Sequence, residues 1–295
     1  MNSKTRVITT LNREEPDRVP VGEWGVDHDI VRQTIGHDTF WRAKARTTKA
    51  LWAGKRDEVV DSFKQDLVDF IEALGHDLVP VHLVPSSDLE PREVTQVDEE
   101  TWEEQSGRVW RYSAGNDALL PIKEPSRSFE SEDDLRAHFE ENIVPACGFT
   151  VAGHKQDGYE LSLTDESRLD LIRHIVDTWG DEKFIFARGF EEAVGSPEPL
   201  FFSELESLSL FYGIRMDEYL IPIHTQPELT RLAFDLYTEL AIAMAKVFIG
   251  EGVHAIMPQG DFASNHGPMI SPNSIRQIFL PGMKKLCDYG HRHGV

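Results

Sequence analysis

The segment Gly260-Asp261-Phe262-Ala263-Ser264-Asn265-His266-Gly267-Pro268-Met269-Ile270-Ser271-Pro272 puts a carboxylate, a hydroxyl, an amide and an imidazole on one short loop. These are side chains suited to proton transfer and polar substrate recognition. The loop follows an apolar run, Val253 to Met257, and leads into Ser271-Pro272, a helix cap with proline at the first helical position. A strand–loop–helix unit of this kind carries its chemistry on the loop. Asp261, at the end of the expected strand, is a candidate catalytic residue; the alternative is an aspartate that caps or turns the chain. His266 is a candidate donor to substrate, against the alternative of an exposed loop histidine. Ser264 is a candidate substrate contact, with Asn265 behind it.

Other polar residues fall at the ends of expected strands. Glu23 and Trp24 leave the first strand, Arg18 to Gly25, and Trp24 serves either as a pocket wall for a flat ligand or as core. His82 alternates with Val81 and Leu83 in the second strand, Leu78 to Val84; it faces a substrate or is a satisfied core histidine. Asp88 lies on the loop after that strand. Arg188, on the third strand, Lys183 to Phe190, needs an anionic partner if buried, either a substrate carboxylate or Asp261 or Glu191. His291 and His293 are two apart on a helix and do not face each other, so they read as cations at a helix C-terminus. Cys147 and Cys287 have no CxxC spacing and suggest neither a disulfide framework nor a zinc ribbon.

The elements that must position these residues alternate. A helical region from about Phe40 to Leu74, breaking near Gly54, carries an apolar face of Val59, Val60, Phe63, Leu67, Phe70, Ile71 and Leu74 and stops at Gly75. A helix that Asp165 can cap carries Leu169, Ile172, Ile175, Val176 and Trp179 and ends at Gly180. Thr225-Gln226-Pro227-Glu228 opens a helix running to Gly250, and Pro281 should kink the last helix. Residues at about 90–125 read instead as a β-hairpin excursion. Four β–α units imply a parallel sheet with helices outside. No Gly-x-Gly-x-x-Gly or Walker-type loop is present, so nucleotide folds lose support, and half of an eight-stranded barrel fits better.

At 295 residues with 40% hydrophobic and 27% charged content, the chain has globular composition. A net charge of −21 argues against nucleic acid and anionic membrane as partners. The N-terminal residues lack the apolar core of a signal peptide, and a cytoplasmic protein is expected.

Four segments resemble the uroporphyrinogen decarboxylase superfamily: Glu15-Pro16-Asp17-Arg18-Val19-Pro20-Val21, Gly75-His76-Asp77-Leu78-Val79-Pro80-Val81, Phe184 through Gly213 and Pro227 to Gly252, and Asp261 to Val295. The resemblance covers nearly the whole chain and is loosest over residues 90–160. It implies a single (β/α)8 TIM-barrel domain over residues 1–295, with about the first half to two-thirds of the barrel present and roughly 80 to 100 residues missing beyond Val295. The Asp…Gly-Pro-x-Ile-Ser-Pro form of the last loop is closer to the branch of corrinoid-dependent methyltransferases and demethylation enzymes. Methyl transfer or demethylation involving a methylated corrinoid protein is therefore the expected function, with the corrinoid carried by a partner. The same resemblance aligns Asp261 with the family's loop aspartate and puts Asp88 near the decarboxylases' catalytic aspartate. Zinc ligands of the methyltransferase branch are expected downstream of Val295, and the chain itself holds no complete metal site. Tetrapyrrole decarboxylation is the alternative. It is disfavoured because Glu23-Trp24-Gly25-Val26-Asp27-His28-Asp29 is acidic where a substrate rich in carboxylates needs fixed cations. A second alternative is a relative that binds a tetrapyrrole or corrinoid without turnover.

Overall fold

A computed structural model describes residues 1–23, 25–115, 117–123, 127–155, 158–190, 205–213, 215–258 and 262–295. In chain order it opens with α1 (Ser3–Leu11), α2 (His28–Ile35), α3 (Lys44–Trp52), α4 (Arg56–Leu74) and strand β1 (Leu78–Leu83). Strands β2 (Val94–Gln96), β3 (Thr101–Glu104), β4 (Val109–Ser113) and β5 (Ala118–Lys123) follow. Helix α5 (Glu132–His138) passes through a π-helical turn, Phe139–Ile143, into α6 (Val144–Ala146). Next come β6 (Phe149–Lys155), β7 (Gly158–Leu163), α7 (Asp170–Trp179) and β8 (Phe184–Phe190). The remainder is α8 (Ser209–Tyr212), α9 (Met216–Leu220), α10 (Pro222–Thr225), α11 (Pro227–Gly250), β9 (Ala255–Ile256), β10 (Ala263–Ser264), β11 (Gly267–Pro268), α12 (Pro272–Ser274) and α13 (Leu280–Arg292). This is an α/β fold. Among the described residues no closed barrel forms, and no helix is long and apolar enough to cross a membrane.

The chain divides into two compact units, the first made of residues 1–123, 166–197 and 250–255. Its centre is a sheet in the order β1-β8-β9, with β1 and β8 parallel and in register from Leu78 opposite Phe184 to Val81 opposite Ala187. The apolar face expected on α4 is buried at Val59, Val60, Phe63, Leu67, Phe70 and Ile71, but Leu74, in the last turn before Gly75, is 46% exposed. The break between α3 and α4 falls at Gly54, whose φ of +73° is a conformation glycine adopts without the Cβ penalty of other residues. The stretch read as a hairpin excursion is a four-stranded antiparallel meander, β2-β3-β4-β5. It docks on α3 through Trp102 and Trp110 against Ala45 and Trp52. The Trp52 and Trp110 rings meet edge-on at 5.8 Å, and Trp110 Nε1 donates to Glu104 Oε1 at 2.6 Å.

The expected first strand is different. Residues Arg18 to Gly22 make no strand; the Val21 backbone and the Arg18 side chain bond instead to Asp77, just before β1. Val21 N donates to Asp77 Oδ2 at 2.8 Å, and Val21 O accepts from Asp77 N at 2.6 Å. The same carboxylate, fully buried, accepts from Ser3 Oγ at 2.6 Å, Arg6 Nη1 at 2.7 Å and Arg18 Nη1 at 2.6 Å. Arg6 also donates to Asp17 through Nε at 2.6 Å and Nη2 at 2.8 Å. One ionic cluster thus ties α1 and the Asp17–Val21 segment to the N-terminal end of β1.

The second unit holds residues 124–165, 198–249 and 256–295. Its described part contains the antiparallel hairpin β6–β7, the long helix α11, a two-residue-stranded hairpin β10–β11 and α13. Phe139 stacks on Phe211 with centroids 6.3 Å apart, and Phe234 meets Phe279 edge-on at 4.7 Å. Ser271 caps the last helical region by accepting from Ser274 N at 3.0 Å. The kink expected at Pro281 is accommodated as a π-helical turn, Ile275–Phe279, immediately before it. A proline has no N–H to close the preceding α-turn, and the ladder widens there. Gly282 lies against α11, and a Cβ there would meet Thr238 Oγ1 closely and Phe234 Cε1 at 2.8 Å. Gly282→Ala should gain up to about 1 kcal/mol in helix propensity but lose about 1–3 kcal/mol to overpacking. A net loss in denaturant unfolding is expected, and a net gain would show that the helices separate freely.

Candidate functional site

In the first unit the C-terminal ends of β1 and β8 bring two of the sequence candidates onto neighbouring strands. Register holds to Val81 opposite Ala187 and resumes at Leu83 opposite Phe190, so Arg188 and Gly189 together oppose His82. A bulge of this kind re-aims side chains at a strand end and is common beside active sites. His82 is 2% exposed and Arg188 3%. The His82 ring meets Phe63 of α4 edge-on at 5.8 Å, and its Nδ1 donates to Leu83 O at 2.9 Å. In the neutral ring that bond leaves the proton on Nδ1 and makes Nε2 the acceptor.

The loop after β1 is held from two sides. Arg56, at the start of α4, donates from Nε to Pro85 O at 2.9 Å, and from Nη2 to Ser167 O at 2.7 Å and Asp170 Oδ2 at 2.8 Å. Val84 N donates to Arg168 O at 2.9 Å, and Ser87 N to Ser167 Oγ at 2.8 Å. Asp88 is exposed on this fixed loop, its N–H bound to Ser86 Oγ at 3.0 Å. In open α/β sheets ligands are taken at this end of the strands.

Glu23 is exposed, and Gly25 N donates to its Oε1 at 3.3 Å. Beyond it lies a group that sequence reasoning missed. Tyr112 donates its hydroxyl to Asp117 Oδ1 at 3.0 Å, while Asp117 Oδ2 lies 4.0 Å from His28 Nδ1. The Asp117 hydrogen bond and burial both push the Tyr112 hydroxyl above its ordinary range. Arg42 Nε donates to Val26 O at 2.9 Å, so a cation does reach the segment that reads as acidic. No spacing pattern announces this group, because its members come from α2, β4 and the turn before β5.

In the second unit His266 is exposed at the tip of the β10–β11 hairpin. Ser264 Oγ accepts from His266 N at 3.2 Å and donates to Gly267 O at 3.3 Å, so its hydroxyl shapes the turn. Phe262 anchors the hairpin by meeting Phe279 edge-on at 5.2 Å. Trp24 and Asp261 lie outside the described residues.

No protein-family model matches the sequence, and no curated protein matches it. Among solved structures the chain is similar to a methyltransferase from Methanosarcina mazei, with a TM-score of 0.57 and 14% sequence identity. The similarity covers 98% of this chain and 67% of that one. At this identity the likeness is one of fold. A methyltransferase-like fold is therefore shared along nearly the whole chain.

Proposed function

We propose that the chain is an enzyme of the uroporphyrinogen decarboxylase type, built on a (β/α)8 barrel, that moves a methyl group between a corrinoid carried by a partner protein and a small-molecule acceptor. The observation that carries this reading is the chain-long fold likeness to a methyltransferase. The bulge at the ends of β1 and β8 supports it, since it sets a buried arginine and a buried histidine where α/β enzymes take ligands. In this reading Arg188 holds an anionic group of the substrate. His82 orients the strand end through its bond to Leu83, and Asp88 and Glu23 line the approach. Asp261 and His266 are the proposed proton-handling residues of the second unit's loop, with Ser264 fixing the turn that presents His266.

Zinc would supply an activated thiolate acceptor to such a reaction. Cys147 is buried in the second unit and Cys287 is exposed on α13. Neither joins a group of His, Cys, Asp and Glu ligands among the described residues. The described residues do not fit a thiolate zinc site, and no step is assigned to one.

The test is anaerobic incubation of the chain with methylcobalamin and a small thiol, following the loss of methylcobalamin absorbance and the quenching of tryptophan fluorescence. Binding and a rate above the protein-free control are expected. Arg188→Met should lower the rate about 100-fold if it loses substrate positioning, with melting checked in parallel. Wild-type protein that neither quenches nor accelerates would sink the proposal. A folded Arg188→Met variant of undiminished rate would remove the arginine from it.

A further inference from the structure

We infer that His37, Asp66 and Asp69 form a binding site for one divalent first-row transition ion. The three residues offer ligand atoms that all lie within 4.8 Å of one another, on the first unit and apart from the strand ends described above. His37 Nδ1 lies 3.2 Å from Ile35 O, and its Nε2 lies 3.0 Å from Asp66 Oδ1. Both oxygens only accept, whereas a neutral imidazole has a single N–H. With Nδ1 donating to the carbonyl, the Nε2 lone pair faces a carboxylate oxygen, and a positive centre must sit between them. A proton can do this, and so can a metal. Bonds of about 2.1 Å from one ion to imidazole and carboxylate put neighbouring ligands of an octahedral site about 3.0 Å apart, which is the separation of His37 Nε2 from Asp66 Oδ1; Asp69 lies within 4.8 Å of both.

Each ligand is also held from behind, as metal ligands are. The Ile35 carbonyl fixes the ring of His37. The Ser62 hydroxyl donates to Asp66 Oδ2 and itself accepts from Phe40 N at 2.9 Å. Gln65 Nε2 donates to Asp69 Oδ1 at 2.8 Å. Asp66 and Asp69 are three apart on α4 and so share one face. Asp66 is 5% exposed, while the His37 side chain is 51% exposed, leaving one side open for waters to complete the coordination. One nitrogen and two oxygen donors without thiolate suit zinc, manganese or iron(II) rather than copper(I). The ion would pin the turn from His37 to Trp41 onto α4.

Zinc is the probe. Calorimetric titration of the whole chain, with millimolar magnesium present to occupy weak carboxylate sites, should show one ion bound. His37→Gln and Asp69→Asn should each weaken binding at least about tenfold. Zinc should raise the melting temperature of wild type and not of Asp69→Asn, a variant that leaves the His37–Asp66 contact in place and should melt like wild type without metal. Absence of binding, or an affinity unchanged by both substitutions, would overturn the assignment; the latter would place the zinc elsewhere on the acidic surface.

Discussion

Asp77→Asn is expected to cost about 3–5 kcal/mol of unfolding free energy at neutral pH, because it removes the charge from a buried ion cluster and leaves its partners behind. Asp77 is fully buried and Arg6 is 6% exposed. Arg6 Nη1 and Arg18 Nη1 approach the carboxylate at 2.7 and 2.6 Å, with Ser3 Oγ and Val21 N completing its acceptor sites. Asparagine keeps the shape but supplies one acceptor and an NH2 that faces donors. Arg6 retains Asp17, which already holds its guanidinium charged well above the ordinary range, so the protein should still fold. The pH dependence has a definite sign. Burial alone would raise the Asp77 pKa, but the bonds from Ser3, Val21, Arg18 and Arg6 outweigh it and hold it at about 2. A carboxyl depressed in the folded state contributes its full stabilisation above the ordinary carboxylate range, and that contribution fades as pH falls through the folded value. Denaturant titrations of wild type and Asp77→Asn should therefore differ most at neutral pH and converge between about pH 4 and pH 2. A difference below about 1 kcal/mol at neutral pH would mean that water reaches the cluster and screens it.

That cluster also shows what the sequence could and could not disclose. Arg18 and Asp77 come from two of the segments that stand out in the sequence, and they bond to each other as a structural clamp. The alternation of Arg18-Val19-Pro20-Val21 has the look of a strand. Its backbone meets only the start of the neighbouring strand, where Val21 O accepts from Asp77 N and Leu78 N, and Val19 and Val21 stay 77% and 45% exposed. Periodicity registers side-chain type, not where the hydrogen bonds go. Helices were the most legible elements because their signals are local: the buried stripe of α4, the glycine stops at Gly75 and Gly180, and the Ser271-Pro272 start. Of the candidate site, His82 and Arg188 could each be picked out as polar residues in apolar strands. The bulge that sets them opposite one another arises only in the pairing of β1 with β8. The approach of His28 to Asp117 and the His37–Asp66 contact join residues far apart in the chain, and one sequence carries no mark of either.

Phe234→Ala should destabilise the second unit by about 3–5 kcal/mol, the range for emptying a buried phenylalanine site. Phe234 is fully buried in α11, edge-on to Phe279 at 4.7 Å and tilted against Tyr237 at 6.1 Å. Phe279 in turn supports Phe262 at 5.2 Å, so the loss should reach the hairpin that presents His266. Met269 N donates to Phe262 O at 2.8 Å across the base of that hairpin, and its amide should exchange with solvent faster in the variant. The substitution should also couple to Gly282→Ala. Phe234 Cε1 is one of the two atoms a Cβ at position 282 would strike, the other being Thr238 Oγ1, which donates to Phe234 O at 2.8 Å. Removing the ring clears the first obstacle and leaves the second. Gly282→Ala should then cost less in the Phe234→Ala background than in wild type, by at least about 0.5 kcal/mol, but should not become free. Strict additivity in the double-mutant cycle would mean that α13 shifts as a body to admit the new methyl group. In that case Gly282 would not be setting the distance between the two helices.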